Sequence, residues 1–167
     1  NSLKIDACVQ GLFSIGGYFT HSGYDRLGPP GFTGLHLAAY FGLLNVVNYL
    51  LLHCDHASTK DSMGRVPLFW AAYNGHTKVV EVLLNQDEVA EMKDVLGRTP
   101  ISSAASMGQL DVVNCFLDQK VDPNIRDTDN RTPLSWAAYR GHYKVVGSLL
   151  ERAADPDPRD EYGRTPL

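Results

Sequence analysis

Long apolar runs, paired cysteines and an excess of positive charge are all missing from this sequence. No stretch of the 167 residues approaches the roughly 20 apolar residues that span a bilayer. No charged-then-apolar leader with a small-residue cleavage site opens it, so a cytoplasmic or nuclear chain with no membrane partner is expected. Cysteine is scarce: Cys8, Cys54 and Cys115 are odd in number and form no C-x-x-C pair. That fits free, mostly buried thiols in a reducing compartment better than a disulfide framework. Fifteen Lys+Arg against nineteen Asp+Glu leave a net charge of −4, which argues against a nucleic-acid partner, because phosphate neutralisation needs a basic face. The glycines of "SIGGYFTHSGYDRLGPPG" are not followed by G-K-[ST], so they form no phosphate cradle. Disorder is not the default either, since 44% hydrophobic and 20% charged residues are ordinary for a globular domain.

What the sequence does contain is a period. Asp61, Asp94, Asp127 and Asp160 open "DSMGRVPL", "DVLGRTPI", "DTDNRTPL" and "DEYGRTPL", 33 residues apart. Gly42, Gly75, Gly108 and Gly141 keep the step, as do the Ala pairs 38–39, 71–72, 104–105 and 137–138 and the Val pairs beginning at 46, 79, 112 and 145. Internal repeats of this length signal stacked supersecondary units.

Each unit reads as turn, helix, turn, helix. Thr99 and Thr132 are placed to cap a first helix, with Pro100 and Pro133 at its first position, where a missing N–H costs nothing. Leu134, Ala137 and Ala138 give an apolar stripe whose small residues let helices approach, and Gly141 fits the left-handed residue that closes the helix. Val145, Val146, Leu149 and Leu150 mark the buried face of a second helix. The polar, Pro-rich "ERAADPDPRDEYG" then turns into the next unit.

A 33-residue unit carrying T-P-L-x-x-A-A-x-x-G-H and ending in D-x-N-x-x-D resembles the ankyrin repeat, over roughly residues 28–167. The resemblance implies an all-α solenoid of stacked helix pairs with projecting hairpin-like loops and a concave face. The expected division is a capping helix and loop over 1–27, repeats at 28–60, 61–93, 94–126 and 127–159, and the start of a fifth repeat at 160–167. In the cap, Tyr18, Phe19 and Tyr24 would cover the first repeat. A chain stopping inside a unit is expected to be a monomeric fragment of a longer array. "TPLSWAAYRGHYKVV" and the aromatic lead-in of the first repeat also resemble ankyrin arrays of fungal NACHT-type signalling proteins.

Departures from the family pattern carry their own expectations. Gly34 stands where the family has Pro, and Val66 replaces Thr, so the second unit should lose a hydroxyl cap at a cost of about 1 kcal/mol. Ser102 and Ser103 replace larger side chains, which suggests looser packing. Cys54, Asp87 and Ala153 stand where the family prefers Gly, and those turns should be strained or reshaped.

Candidate sites sort into scaffold and surface. "HCDH" at 53–56 contains metal-ligand types, but contiguous residues at a helix end point apart, so surface use is expected. His76 and His142 recur between helices and suggest a structural hydrogen bond at a helix start. Trp70 and Trp136 share the position of Leu37 and read as apolar core, where Trp→Ala would cost about 3–5 kcal/mol. Arg65, Arg98, Arg131 and Arg164 follow the repeated aspartates by four residues and read as Arg–Asp pairs bracing adjacent loops, rather than as a basic stripe. Catalytic residue types recur only through the repeat, so no catalytic, metal or cofactor site is expected.

The family resemblance places partner contacts just after the first Asp of each unit and at the end of each first helix. On this chain those positions include Tyr40, Phe41, Met63, Tyr73, Asn74, Leu96, Met107, Tyr139 and Arg140. Aromatic and Met enrichment there resembles an interface core. The function expected is recognition of a protein or peptide on the concave face, with Tyr40, Tyr73, Met107 and Tyr139 as anchors and Arg140 and Asn74 fixing orientation. The alternative is a ligand-sensing or autoinhibitory arm of a larger nucleotide-switched signalling protein.

Overall fold

The computed structural model describes residues 31–53, 56–86 and 89–166. The capping helix and loop expected over 1–27 lie outside them, as do Cys54 and Asp87. Eight helices and no strand occur among the described residues. They run α1 (Gly34–Tyr40), α2 (Leu44–His53), α3 (Pro67–Asn74), α4 (Thr77–Leu84), α5 (Pro100–Ser106), α6 (Leu110–Asp118), α7 (Pro133–Tyr139) and α8 (Tyr143–Glu151).

Helices of seven to ten residues are too short to hold alone in water. Packing between units therefore supplies the stability. Leu35, Leu68, Ile101 and Leu134 are one residue of the unit written four times, and each has no exposed surface. Leu50, Leu83, Phe116 and Leu149 repeat this on the second helices. Each such side chain contributes about 1.5–3 kcal/mol on burial. The Ala pairs let the first helices stack closely, and α1, α3, α5 and α7 are in far more intimate contact across units than the second helices are. Unequal stacking bends the row, with the first helices on its inner side.

Local signals are obeyed with two exceptions. Gly141 is left-handed with φ 75°, and Val66 offers no side-chain cap, as expected. Thr132 closes a capping box with Ser135, and Thr33 closes one with His36. Thr99 does not cap α5, because its hydroxyl is engaged by the Ser102 hydroxyl at 3.0 Å. Ala153 does adopt φ 67°, and Lys120, at the same unit position, adopts φ 61°.

Between helix pairs the chain projects as fingers. Neighbouring tips are linked by backbone bonds: Val95 N–H donates to Met63 O at 2.9 Å, Thr128 N–H to Leu96 O at 3.1 Å and Glu161 N–H to Asp129 O at 3.0 Å. A cationic ladder on the finger flanks adds to this, with Lys93 Nζ donating to Arg126 O and Arg126 Nη1 to Arg159 O, each at 2.9 Å.

Candidate partner-binding surface

Each finger is built on a buried aspartate. Asp61 Oδ1 accepts the backbone N–H groups of Met63 and Arg65 at 2.8 and 3.0 Å, and Asp94 and Asp127 repeat the pattern. The carboxylate thus fixes the tip conformation and aims the two tip residues outward. At Asp160 burial lifts the carboxyl, but hydrogen bonds from Arg164 and the Tyr162 backbone, with Arg164's charge, outweigh it and hold it below the usual range.

The second aspartate oxygen has two kinds of partner. In the second and fourth units it accepts an indole N–H, from Trp70 at 3.1 Å and from Trp136 at 2.9 Å. These tryptophans are half-buried rather than apolar core, a correction with a plain cause. An indole carries a donor that must be satisfied, and here it turns toward the finger. Where Ser103 replaces the tryptophan, Asp94 Oδ2 takes the Arg98 guanidinium instead.

His76 and His142 are structural, though not as helix-start bonds, since neither side chain caps its helix. His76 Nε2 donates to Tyr40 O at 2.9 Å and His142 Nε2 to Ser106 O at 3.1 Å, each reaching the preceding unit. Gln109 does the same to Tyr73 O at 3.2 Å. These bonds pin the ends of the first helices that the partner-facing residues occupy.

The expected surface residues fall into two rows. At the finger tips, Leu96 is exposed beside Val95, while Met63 is half-buried. At the helix ends, Phe41, Tyr73, Met107 and Tyr139 are 47%, 36%, 37% and 79% exposed, and Arg140 is also exposed. Tyr40 is half-buried, its ring 5.1 Å from Phe41 and 5.7 Å from Trp70. Asn74 is half-buried too, and its Nδ2 donates to Trp70 O at 3.0 Å. Sequence reasoning missed Phe32, whose ring lies 5.3 Å from Trp70 and joins the aromatic cluster at the first two units. It lies ahead of the repeated T-P-L motif, where no periodic signal flags it.

Chemistry is poorly provided for. No group of three or more metal-ligating side chains exists among the described residues, and His53 and His56 are exposed. Cys115 is half-buried, and burial, followed by the charges of Glu81 and Asp118, pushes its thiol up. It therefore stays protonated at neutral pH and is a poor nucleophile. No described helix is long and apolar enough to cross a membrane.

A helical solenoid with a row of exposed apolar groups along one side is the architecture of a repeat protein built for contact. The ankyrin-repeat model matches in three copies, over residues 6–94, 35–127 and 104–167, and the chain belongs to the ankyrin-repeat family. Repeats of this family are generally protein–protein interaction modules and are typically non-catalytic. None of the curated proteins compared matches the chain.

Proposed function

We propose that the chain binds a protein or extended peptide in the groove between its finger tips and the ends of its first helices. The observation that carries this reading is the exposed row Phe41, Tyr73, Met107 and Tyr139. The scaffold's buried positions lie elsewhere in each unit, and a contiguous exposed apolar patch of this kind marks a binding surface. The proposed units 28–60, 61–93, 94–126 and 127–159 each contribute one helix end to it. Backbone links between tips and the side-chain bridges from His76, Gln109 and His142 hold both walls in place before binding, which lowers the ordering cost.

Tyr73, Met107 and Tyr139 are the strongest anchors, because their carbonyls or helix ends are fixed while their side chains stay accessible. Tyr40 and Asn74 act as supports, one stacked on Trp70 and the other bonded to its carbonyl. Met63, Leu96 and Arg140 complete the rim. Tyr73→Ala/Met107→Ala/Tyr139→Ala is expected to weaken partner binding at least a hundredfold, as hot-spot truncations do, with a cooperative melt retained. Unchanged affinity in that folded variant would place the partner on another face.

A further inference from the structure

Arg65, Arg98, Arg131 and Arg164 share one position of the unit, yet the structure divides them. Arg98 Nε and Nη2 lie 2.9 and 2.7 Å from Asp94 Oδ2. Arg164 grips Asp160 Oδ2 in the same way, at 2.8 and 2.7 Å. In the other two units the indole has taken that oxygen, and the arginine lies over the tryptophan ring, 4.8 Å from its centroid for Arg65 and 5.0 Å for Arg131. Arg131 gains Asp129 at 3.5 Å. Arg65 gains almost nothing. Its one carboxylate neighbour, Asp94 Oδ2 at 3.9 Å, is already held bidentately by Arg98. Its Nε is buried without a hydrogen bond, and its Nη groups make none among the described residues while keeping access to solvent.

We propose that Arg65 is a receptor for a carboxylate of the bound peptide, an Asp or Glu side chain flanked by apolar residues. This deepens the groove reading and rests on it. Stacking on Trp70 and Phe69 fixes the guanidinium plane without using its donors, so the two Nη groups are preorganised as a fork for two oxygens. The aromatic side chains of Phe32, Tyr40, Trp70 and Tyr73 form an adjoining cluster, which suits apolar residues on either side of the acid. A monoanionic carboxylate matches a single fork. A phosphate would bring nearly twice the charge toward a site that already holds the Asp61 and Asp94 carboxylates.

The probe is a random peptide library selected on the immobilised 167-residue chain. The selected peptides are expected to share one acid among apolar positions. Changing that acid to its amide should weaken binding about ten- to hundredfold, the scale of a hydrogen bond to a charged group. Arg65→Met should cost the same factor, and the two changes together no more than either alone. Arg65→Lys, which keeps the charge without the fork, should recover only part, and a cooperative melt checks the fold of each variant. An acid-free consensus, or losses that add, would overturn the proposal. If binding survives Arg65→Met but not Tyr73→Ala/Met107→Ala/Tyr139→Ala, the groove stands and the carboxylate receptor falls. If it survives both, both fall.

Discussion

Asp94→Ala is expected to destabilise the chain by about 3–5 kcal/mol, the cost of breaking a buried charge pair from one side. The Asp94 side chain has no exposed surface. It accepts the Leu96 and Arg98 backbone N–H groups at 2.9 Å each and the Arg98 guanidinium at 2.9 and 2.7 Å. Removing it strands all of these donors, each left without the partner it was desolvated for. The finger would lose its shape and its link to the next tip. Because a solenoid's stability is a chain of nearest-neighbour terms, the urea transition should also broaden or split as the units on either side uncouple. A single sharp transition shifted by less than about 1 kcal/mol would show that the carboxylate does not organise the finger.

Gly97→Ala should cost about 3 kcal/mol, and Gly163→Ala only about 1–2, although both residues are left-handed. Gly97 has φ 72° and Gly163 has φ 74°, so the conformational strain of adding a side chain is alike. Their surroundings differ. A Cβ on Gly97 would stand 2.8 Å from Thr128 N and 3.2 Å from the Asp127 backbone, whereas one on Gly163 would meet nothing within 4 Å. Thr128 N–H is the donor that ties this finger to Leu96, and backbone atoms cannot swing aside as a side chain can. The added methyl must therefore push two fingers apart. Denaturation midpoints of the two variants measure the difference, and equal losses would mean the strain is purely local. Asn130, left-handed at the same unit position with φ 60°, shows how the fourth unit meets the requirement without glycine.

Much of the fold was legible because burial repeats with the sequence. Leu35, Leu68, Ile101 and Leu134 share a step of 33 and share complete burial, so one unit's physical reading serves for all. Legibility fell where one residue had two uses. Trp70 and Trp136 look apolar by position, but the indole N–H made a bond to the aspartate nine residues earlier worth more than full burial. That spacing is visible in the sequence, and the absence of tryptophan from the third unit is the clue to why Arg98 behaves differently from Arg65. Thr99 failed as a cap because Ser102, three residues on, offered its hydroxyl first. Lys120 extends the series of Cys54, Asp87 and Ala153 and could have been found by counting. The flank ladder of Lys60, Lys93, Arg126 and Arg159 also repeats every 33 residues. It escaped notice because its partners are backbone carbonyls, which no sequence pattern marks. The exposed helix ends were legible as positions, but not the support each receives from the next unit's His76, Gln109 or His142.

The chain's three methionines offer the most direct test of the groove. Met63 sits at a finger tip and Met107 at a helix end, whereas Met92 lies in a connection between units, packed against the core. With the methionine methyl groups labelled with carbon-13, titration with a library-selected peptide should shift the Met63 and Met107 signals and leave Met92 in place. Saturating binding that moves Met92 alone, or none of the three, would contradict the groove as the site of recognition.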